Sequence, residues 1–340
     1  MRILLIGGTG FIGPAVVRRL QATGAEITLF HRGPRERLFP ELNHIPGDRR
    51  ELKSHAAAFR RLAPDVVIDF ILSSGRQARE LMETFKGVAG RVVALSSIDV
   101  YRAAGVATGT EPGPLQPLPL TEDSPLRTTL QTYPPAVLEK LKGVFGWLDS
   151  EYDKIPVEQA ILSEPELPGT VLRLPFVYGP GDPLHRLFPV VKRIDDGRKV
   201  ILLEEQFAQW RGPRGFVENV GAAIAAAATS GRAAGRIFNV AEQPAFTELQ
   251  WTRKVAEAAG WTGEIRVVQA EIAPAHLKRP GNWQQHWVAD STRLRQELGF
   301  HEPVALEDWL KVAVEWERKN PPAEVDAAQF NYAAEDDCLD

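Results

Sequence analysis

Gly7, Gly10 and Gly13 stand at three-residue spacing, after the apolar run Ile3–Ile6 and before a helical pattern. In that pattern Val16, Val17 and Leu20 are apolar and Arg18 and Arg19 are polar. The chemistry this order of residue types can do is to hold a dinucleotide. One glycine permits a tight turn, one lets the backbone approach a pyrophosphate, and one lets the helix lie close to the strand. The phosphates then meet the positive N-terminal end of the helix. Thr9, Phe11 and Ile12 lie in the same loop and belong to the same cradle. The strand opens almost at Met1, so no targeting segment is expected ahead of it.

The next residues bear on which dinucleotide is held. Glu26–His31 reads as a second strand, and its end is the usual place for an acid that holds the ribose 2′-hydroxyl of NAD. Here the end is His31-Arg32, followed by Arg35 and Arg37. An acid would repel a 2′-phosphate, whereas guanidinium groups bind one bidentately. NADP(H) is therefore favoured over NAD(H), with His31 and Arg32 on the cofactor. Asp48, at the end of a third strand, can accept from the adenine amino group.

These groups need a frame, and the pattern supplies one. Leu52–Leu62 reads as a helix, Val66–Leu72 as a strand, Ala78–Lys86 as a helix and Arg91–Leu95 as a strand ending in Ser96-Ser97. The alternation predicts an α/β fold, a Rossmann doubly wound parallel sheet with ligands beyond the carboxyl ends of its strands. Seven prolines between 102 and 135 speak against sustained helix or strand and suggest a long loop or lid near the site. Beyond it, Val137–Leu148 and Lys154–Leu162 read as helices and Thr170–Val177 as a strand. Val220–Thr229, Thr247–Ala259 (with Thr247 as N-cap), Ser291–Leu298 and Leu306–Lys319 read as helices, and Arg236–Val240 as a strand. The expected organisation is a dinucleotide domain over 1–172, to which later segments return. A smaller substrate-binding α/β domain follows, mainly over 173–320, and then an acidic, frayed tail over 321–340.

Taken together these residues resemble the extended short-chain dehydrogenases/reductases of the NAD(P)-dependent epimerase/dehydratase family. The resemblance runs from Arg2 to about Pro303. It is carried by Gly7-Gly-Thr-Gly-Phe-Ile-Gly13, Gly47-Asp48, Ser96-Ser-Ile-Asp-Val-Tyr101, Lys154-x-x-x-Glu158, Arg173-x-x-x-Val-Tyr-Gly-Pro-Gly181, Arg214-Gly-Phe-Val217, Phe238-Asn-Val240, Arg279-Pro-Gly281 and the stretch from Asp290 to Leu298-Gly-Phe-x-x-Pro303. It implies hydride transfer at a carbon bearing oxygen, with Ser97 orienting the substrate oxygen and Lys154 holding the nicotinamide ribose. Pro175, inside the Arg173 motif, is implied on the cofactor side. Tyr101, Arg214 and Arg279 are implied on the substrate side, the two arginines where nucleotide-sugar members hold a diphosphate.

The chain departs from the family at one decisive place. The acid/base tyrosine belongs four residues before the lysine, and Ser150 stands there. A serine hydroxyl is too weak an acid to replace a phenol. Tyr152 is two residues from Lys154, about 200° around a regular helix, so the two would face apart. Pro156 removes a helical hydrogen bond to residue 152. The helix can then begin at this point, capped by Asp153, and turn Tyr152 inward. Tyr152 is thus the candidate acid/base, with Tyr133 and Tyr101 as weaker stand-ins.

The expected partner is a hydroxylated small molecule, sugar- or nucleotide-sugar-like and able to carry negative charge. The resemblance also implies a homodimer. A formal charge of −4 gives no basic footprint for nucleic acid. No apolar run reaches membrane-spanning length, and a single cysteine, Cys338, suits the cytoplasm. No cluster has metal-ligand spacing. One rival stays open. Relatives that lose the tyrosine serve as redox sensors or as RNA- or protein-binding proteins, and Thr28-Leu-Phe-His-Arg-Gly33 is similar to the second strand of the chloroplast stem-loop-binding proteins.

Overall fold

Strands rich in Val, Ile and Leu, apolar on both faces, belong in the middle of a parallel sheet covered by helices. The computed structural model describes residues 1–33, 38–131 and 133–339 and places them so. Arg35, Arg37 and Asp340 fall outside the described residues. The first half runs β1 (Arg2–Ile6), α1 (Gly13–Ala22), β2 (Glu26–His31), β3 (Asn43–Pro46), α2 (Ala56–Leu62), β4 (Val66–Asp69), α3 (Gly75–Phe85) and β5 (Arg91–Ser97). Then come α4 (Arg102–Thr108), α5 (Pro135–Val144), α6 (Lys154–Leu162), β6 (Gly169–Leu174) and β7 (Phe176–Tyr178). The second half runs α7 (Phe188–Asp195), β8 (Val200–Glu204), α8 (Glu205–Gln209), β9 (Arg214–Phe216), α9 (Val217–Thr229), β10 (Ile237–Asn239) and α10 (Glu248–Ala258). It ends with β11 (Glu264–Val268), α11 (Thr292–Leu298), α12 (Leu306–Lys319) and α13 (Tyr332–Asp336).

Seven strands form one parallel sheet in the order β3-β2-β1-β4-β5-β6-β10. The chain winds outward from β1 to β3, then returns to β1's other side with β4. Such a reversal opens a crevice above the carboxyl ends of the strands. Helices α1 and α9 cover one face, α3 and α6 the other. The alanines of α9 have a packing reason. A Cβ on Gly221 would lie 2.6 Å from Ala15 Cβ, so the two helices approach nearly backbone to backbone. Two further parallel pairs, β7 with β9 and β8 with β11, build the smaller part with α7, α10 and α12. The capping box of Thr247 and Gln250 starts α10.

Three expectations change. The segment 102–135 is not structureless. α4 forms ahead of the first proline and stops at Gly109, whose φ is +73°. Nor is the rest of that segment a loose lid. Leu120, Glu122 and Arg127 are buried, and the Asn239 side chain donates to the Leu120 carbonyl (3.0 Å). The strand expected over 170–177 is two strands, because Pro175 offers no N–H and parts β6 from β7. The tail is not frayed. Glu335 is fully buried between Arg193 (2.7 Å) and His276 (2.9 Å), and Cys338 and Leu339 pack with Leu202, Val268 and Ala273. Acidic composition alone read as solvated; the partners lie far away in sequence.

Candidate active site

A cleft of about 650 Å³ opens where the sheet reverses. The glycine loop forms its floor, and the ends of β2, β5 and β6 supply its walls. Of the residues expected at the site, the cleft gathers Gly7, Thr9, Gly10, Phe11, Ile12, Gly13, His31, Arg32, Asp48, Ser97, Tyr152, Lys154 and Pro175. Tyr101, Arg214 and Arg279 do not line it.

The loop end of the cleft has the features a dinucleotide needs. Gly13 cannot be another residue, since a Cβ there would stand 2.0 Å from the Gly8 carbonyl oxygen. A Cβ on Gly10 would meet nothing nearer than the Gly7 carbonyl oxygen at 3.7 Å, so the backbone there presents open space to the cleft. α1 has no side-chain cap and starts with proline in its first turn. Its first N–H groups are left to a ligand, and the helix end favours an anion. The residues present therefore fit a pyrophosphate.

At the far side of this end the polar groups are more occupied than the sequence suggested. His31 is buried and shares a 2.8 Å hydrogen bond with His44, while its Nδ1 accepts from the Gly33 N–H. Asp48 is held by Arg50 (2.7 Å), whose guanidinium lowers its carboxyl below the usual range. It also caps the turn that starts at Arg49. Arg32 is exposed at the cleft.

At the opposite end, β5 delivers Ser97 and α6 delivers Lys154. α6 begins at Lys154, with Asp153 as N-cap accepting from the Ile155 N–H (2.8 Å). Pro156 thus sits in the first turn, where a missing N–H costs nothing. Tyr152 lies before the cap, outside the helix. Its ring centre is 5.8 Å from Lys154 Nζ and 5.6 Å from the Tyr133 ring. Lys154 is buried and donates to the Leu95 carbonyl (3.0 Å) and the Leu72 carbonyl. Burial pushes it down to about 8, against the pull of Asp99, Asp69 and Glu158.

Asp99 and Tyr133 complete this cluster. Asp99, two residues past Ser97, donates its N–H to Ser97 Oγ (3.2 Å) and accepts the Tyr133 hydroxyl (2.7 Å). Its other carboxylate oxygen is buried without a protein partner among the described residues. Burial raises the Asp99 carboxyl. Burial, then the Asp99 charge, raises both phenols well above the usual tyrosine value. Asp99 was invisible in the sequence because a lone acid in a short turn carries no spacing signal.

A buried network fixes the frame. Arg173 on β6 grips Glu158 on α6 through two hydrogen bonds (2.7 and 3.0 Å). Ser96 donates to the same carboxylate (2.5 Å). Glu158 lies one turn beyond Lys154, so this grip sets how the lysine sits relative to Ser97. Arg173 also donates to the Tyr101 hydroxyl (2.9 Å), which donates to Asn239 on β10 (2.6 Å). Tyr101 is fully buried and burial pushes it up to about 12. Tyr101, expected on the substrate side, here ties β6 to β10 through its hydroxyl.

The two arginines expected on a diphosphate are likewise turned elsewhere. Arg214 pairs with Glu248 and lies 4.6 Å over the Trp251 ring, beside a separate pocket. Arg279 lies 4.3 Å over the Phe207 ring. The aromatic groups Trp210 and Trp287 pack with Phe176 and Phe207 as core, at ring distances of 5.6 to 6.1 Å. Among the described residues no group of three or more His, Cys, Asp and Glu could hold a metal, and no helix is long and apolar enough to cross a membrane.

The sequence profile of the NAD dependent epimerase/dehydratase family matches residues 3–241. Among characterised relatives, the chain is 26% identical over 317 residues to 2′-dehydrokanamycin reductase of Streptomyces kanamyceticus, covering 90% of this chain and 79% of that one. It is 27% identical over 329 residues to dTDP-6-deoxy-L-talose 4-dehydrogenase (NAD(P)(+)) of Kitasatospora kifunensis, covering 88% and 90%. In fold it is similar to dTDP-glucose 4,6-dehydratase of Bacillus anthracis solved with NAD. The TM-score is 0.66 at 17% identity, over 94% of this chain and 97% of that one.

Proposed function

Because the chain belongs to the NAD dependent epimerase/dehydratase family, whose members are NAD(P)-dependent oxidoreductases, epimerases and dehydratases, we propose that it transfers hydride between NAD(P)(H) and a hydroxylated, sugar-like small molecule. The observation that carries this reading is convergence. One cleft joins a phosphate cradle at one end to Ser97, Tyr152 and Lys154 at the other. When bound, the nicotinamide supplies or accepts the hydride.

The protein's own groups handle the oxygen. Ser97 accepts from the Asp99 N–H and still has its own proton to donate to a substrate oxygen. Tyr133 is committed to Asp99. Tyr152 is therefore the phenol free to exchange a proton with that oxygen. Its raised value keeps it protonated, which suits it to donate in the reductive direction. Lys154 places a positive charge beside it and beside the ribose site. Arg32, next to an Asp48 already engaged by Arg50, favours NADP(H) over NAD(H), which would appear as tighter binding of NADPH in titration calorimetry.

The lysine gives this mechanism a pH signature. Lys154 is cationic below about 8 and neutral above it. The reductive rate uses its charge, so it should fall as pH rises through about 8. Lys154→Arg keeps the charge at all accessible pH, so in that variant the alkaline limb should move up or vanish even if the maximal rate drops. An unchanged limb in Lys154→Arg would remove the lysine from the proton-handling role. The enzymatic reading as a whole is tested by consumption of NAD(P)H when sugar-like ketones are added.

A further inference from the structure

We infer that the substrate presents an apolar or aromatic face instead of a diphosphate, and that Leu141, Val144, Phe145 and Trp147 read it. This rests on the hydride-transfer reading of the same cleft.

The first observation is where the cations are. The two arginines placed for a diphosphate by motif are engaged with Glu248, Trp251 and Phe207, outside the cleft. Arg186 does line the cleft, but its guanidinium donates to the Val177 carbonyl (2.9 Å) and to Asp182 (2.8 Å). Of these three, Arg214 and Arg186 are held by carboxylates, and Arg279 lies outside the cleft.

The second observation is what surrounds the reacting groups instead. Trp147 lies with its ring centre 6.0 Å from Lys154 Nζ, and the Phe145 ring packs against it, tilted by 48°, at 5.6 Å. Phe176 comes from the other wall, two residues after Leu174, which is the register partner of Ser97. Leu141 and Val144 extend the same surface along α5.

The third observation is that this surface is left partly open: Leu141, Phe145 and Trp147 are only half-buried. No residue of α5 is buried, and Val144 is 45% exposed. Yet the segment is tied down at both ends. Ser74 and Arg76 hold the Asp149 carboxylate, and Tyr133 is bound to Asp99. Pinned apolar side chains that stay partly exposed in a reaction cleft are matched by an apolar ligand face, and water leaves both on binding.

The test is calorimetric titration of the NADP⁺-saturated protein with phenyl β-glucoside, methyl β-glucoside and UDP-glucose. The phenyl compound should bind about tenfold or more tightly than the methyl one, as burial of one ring permits. That advantage should be lost in Trp147→Ala and in Leu141→Ser, two partly exposed positions whose change spares the core. UDP-glucose should bind no more tightly than methyl β-glucoside, and Arg214→Gln or Arg279→Gln should not alter it. Equal binding of the phenyl and methyl compounds, or no binding of either, overturns the inference. So does tightest binding by UDP-glucose with loss in Arg214→Gln. The preceding NADP⁺ titration reports separately on the cofactor reading beneath it.

Discussion

Tyr152→Phe is expected to lower kcat by about two to four orders of magnitude, the range for removing a positioned proton donor. Cofactor affinity should stay within about twofold, since a phenyl ring keeps the packing against Tyr133 and over Lys154. The expectation follows from how α6 starts. With Asp153 as an extended cap and Pro156 in the first turn, Tyr152 lies outside the helix and enters the cleft that Lys154 also lines. The neighbouring Tyr133→Phe supplies the contrast. It frees the Asp99 carboxylate and should cost less, because Tyr133's hydroxyl is bound to Asp99 and not free to move a proton. Stopped-flow measurement of reduced-cofactor oxidation distinguishes these effects from binding. If the chain were instead a cofactor-holding sensor without chemistry, Tyr152→Phe would leave every measurable property nearly unchanged.

Arg173→Met is expected to destabilise the protein by about 3–5 kcal/mol, the cost of leaving one member of a buried ion pair alone. Arg173 and Glu158 are 2% and 3% exposed, and the arginine also serves Tyr101 and the Glu122 carbonyl. Glu158→Gln in the Arg173→Met background should restore part of the loss, because the stranded charge is then gone. Denaturant unfolding followed by circular dichroism gives both values. The same change should impair turnover more than cofactor binding, since Glu158 sets the position of α6 and so of Lys154 relative to Ser97. Equal stability of wild type and Arg173→Met would mean that the network is incidental to the frame.

The parts of this molecule that were legible in its sequence are those encoded by local pattern. The glycine loop, Ser96-Ser97 at a strand end and the start of α6 all rest on neighbours within a few residues. Pro156 and Asp153 even showed where the helix could begin. What the sequence hid are partners set by the fold. Nothing near Arg214 in sequence announces Glu248, which lies 34 residues on and pairs with it beside a separate pocket. Nothing near Tyr101 in sequence announces Arg173 and Asn239, which bind its hydroxyl. Glu335 sits in a stretch that reads as solvated, and it is buried because Arg193 and His276 wait for it. Asp99 gains its character from burial beside Tyr133, which no spacing rule encodes.

In the proposed mechanism Tyr152 takes the place left by Ser150. A crystal structure with NADP⁺ and a substrate or substrate analogue bound tests it most directly. The Tyr152 hydroxyl and Ser97 Oγ are expected within hydrogen-bond reach, about 2.6–3.2 Å, of one ligand oxygen beside the nicotinamide ring, with Lys154 on the adjoining ribose. Tyr152 turned away from that oxygen, with Tyr133 or no phenol in its place, would contradict it.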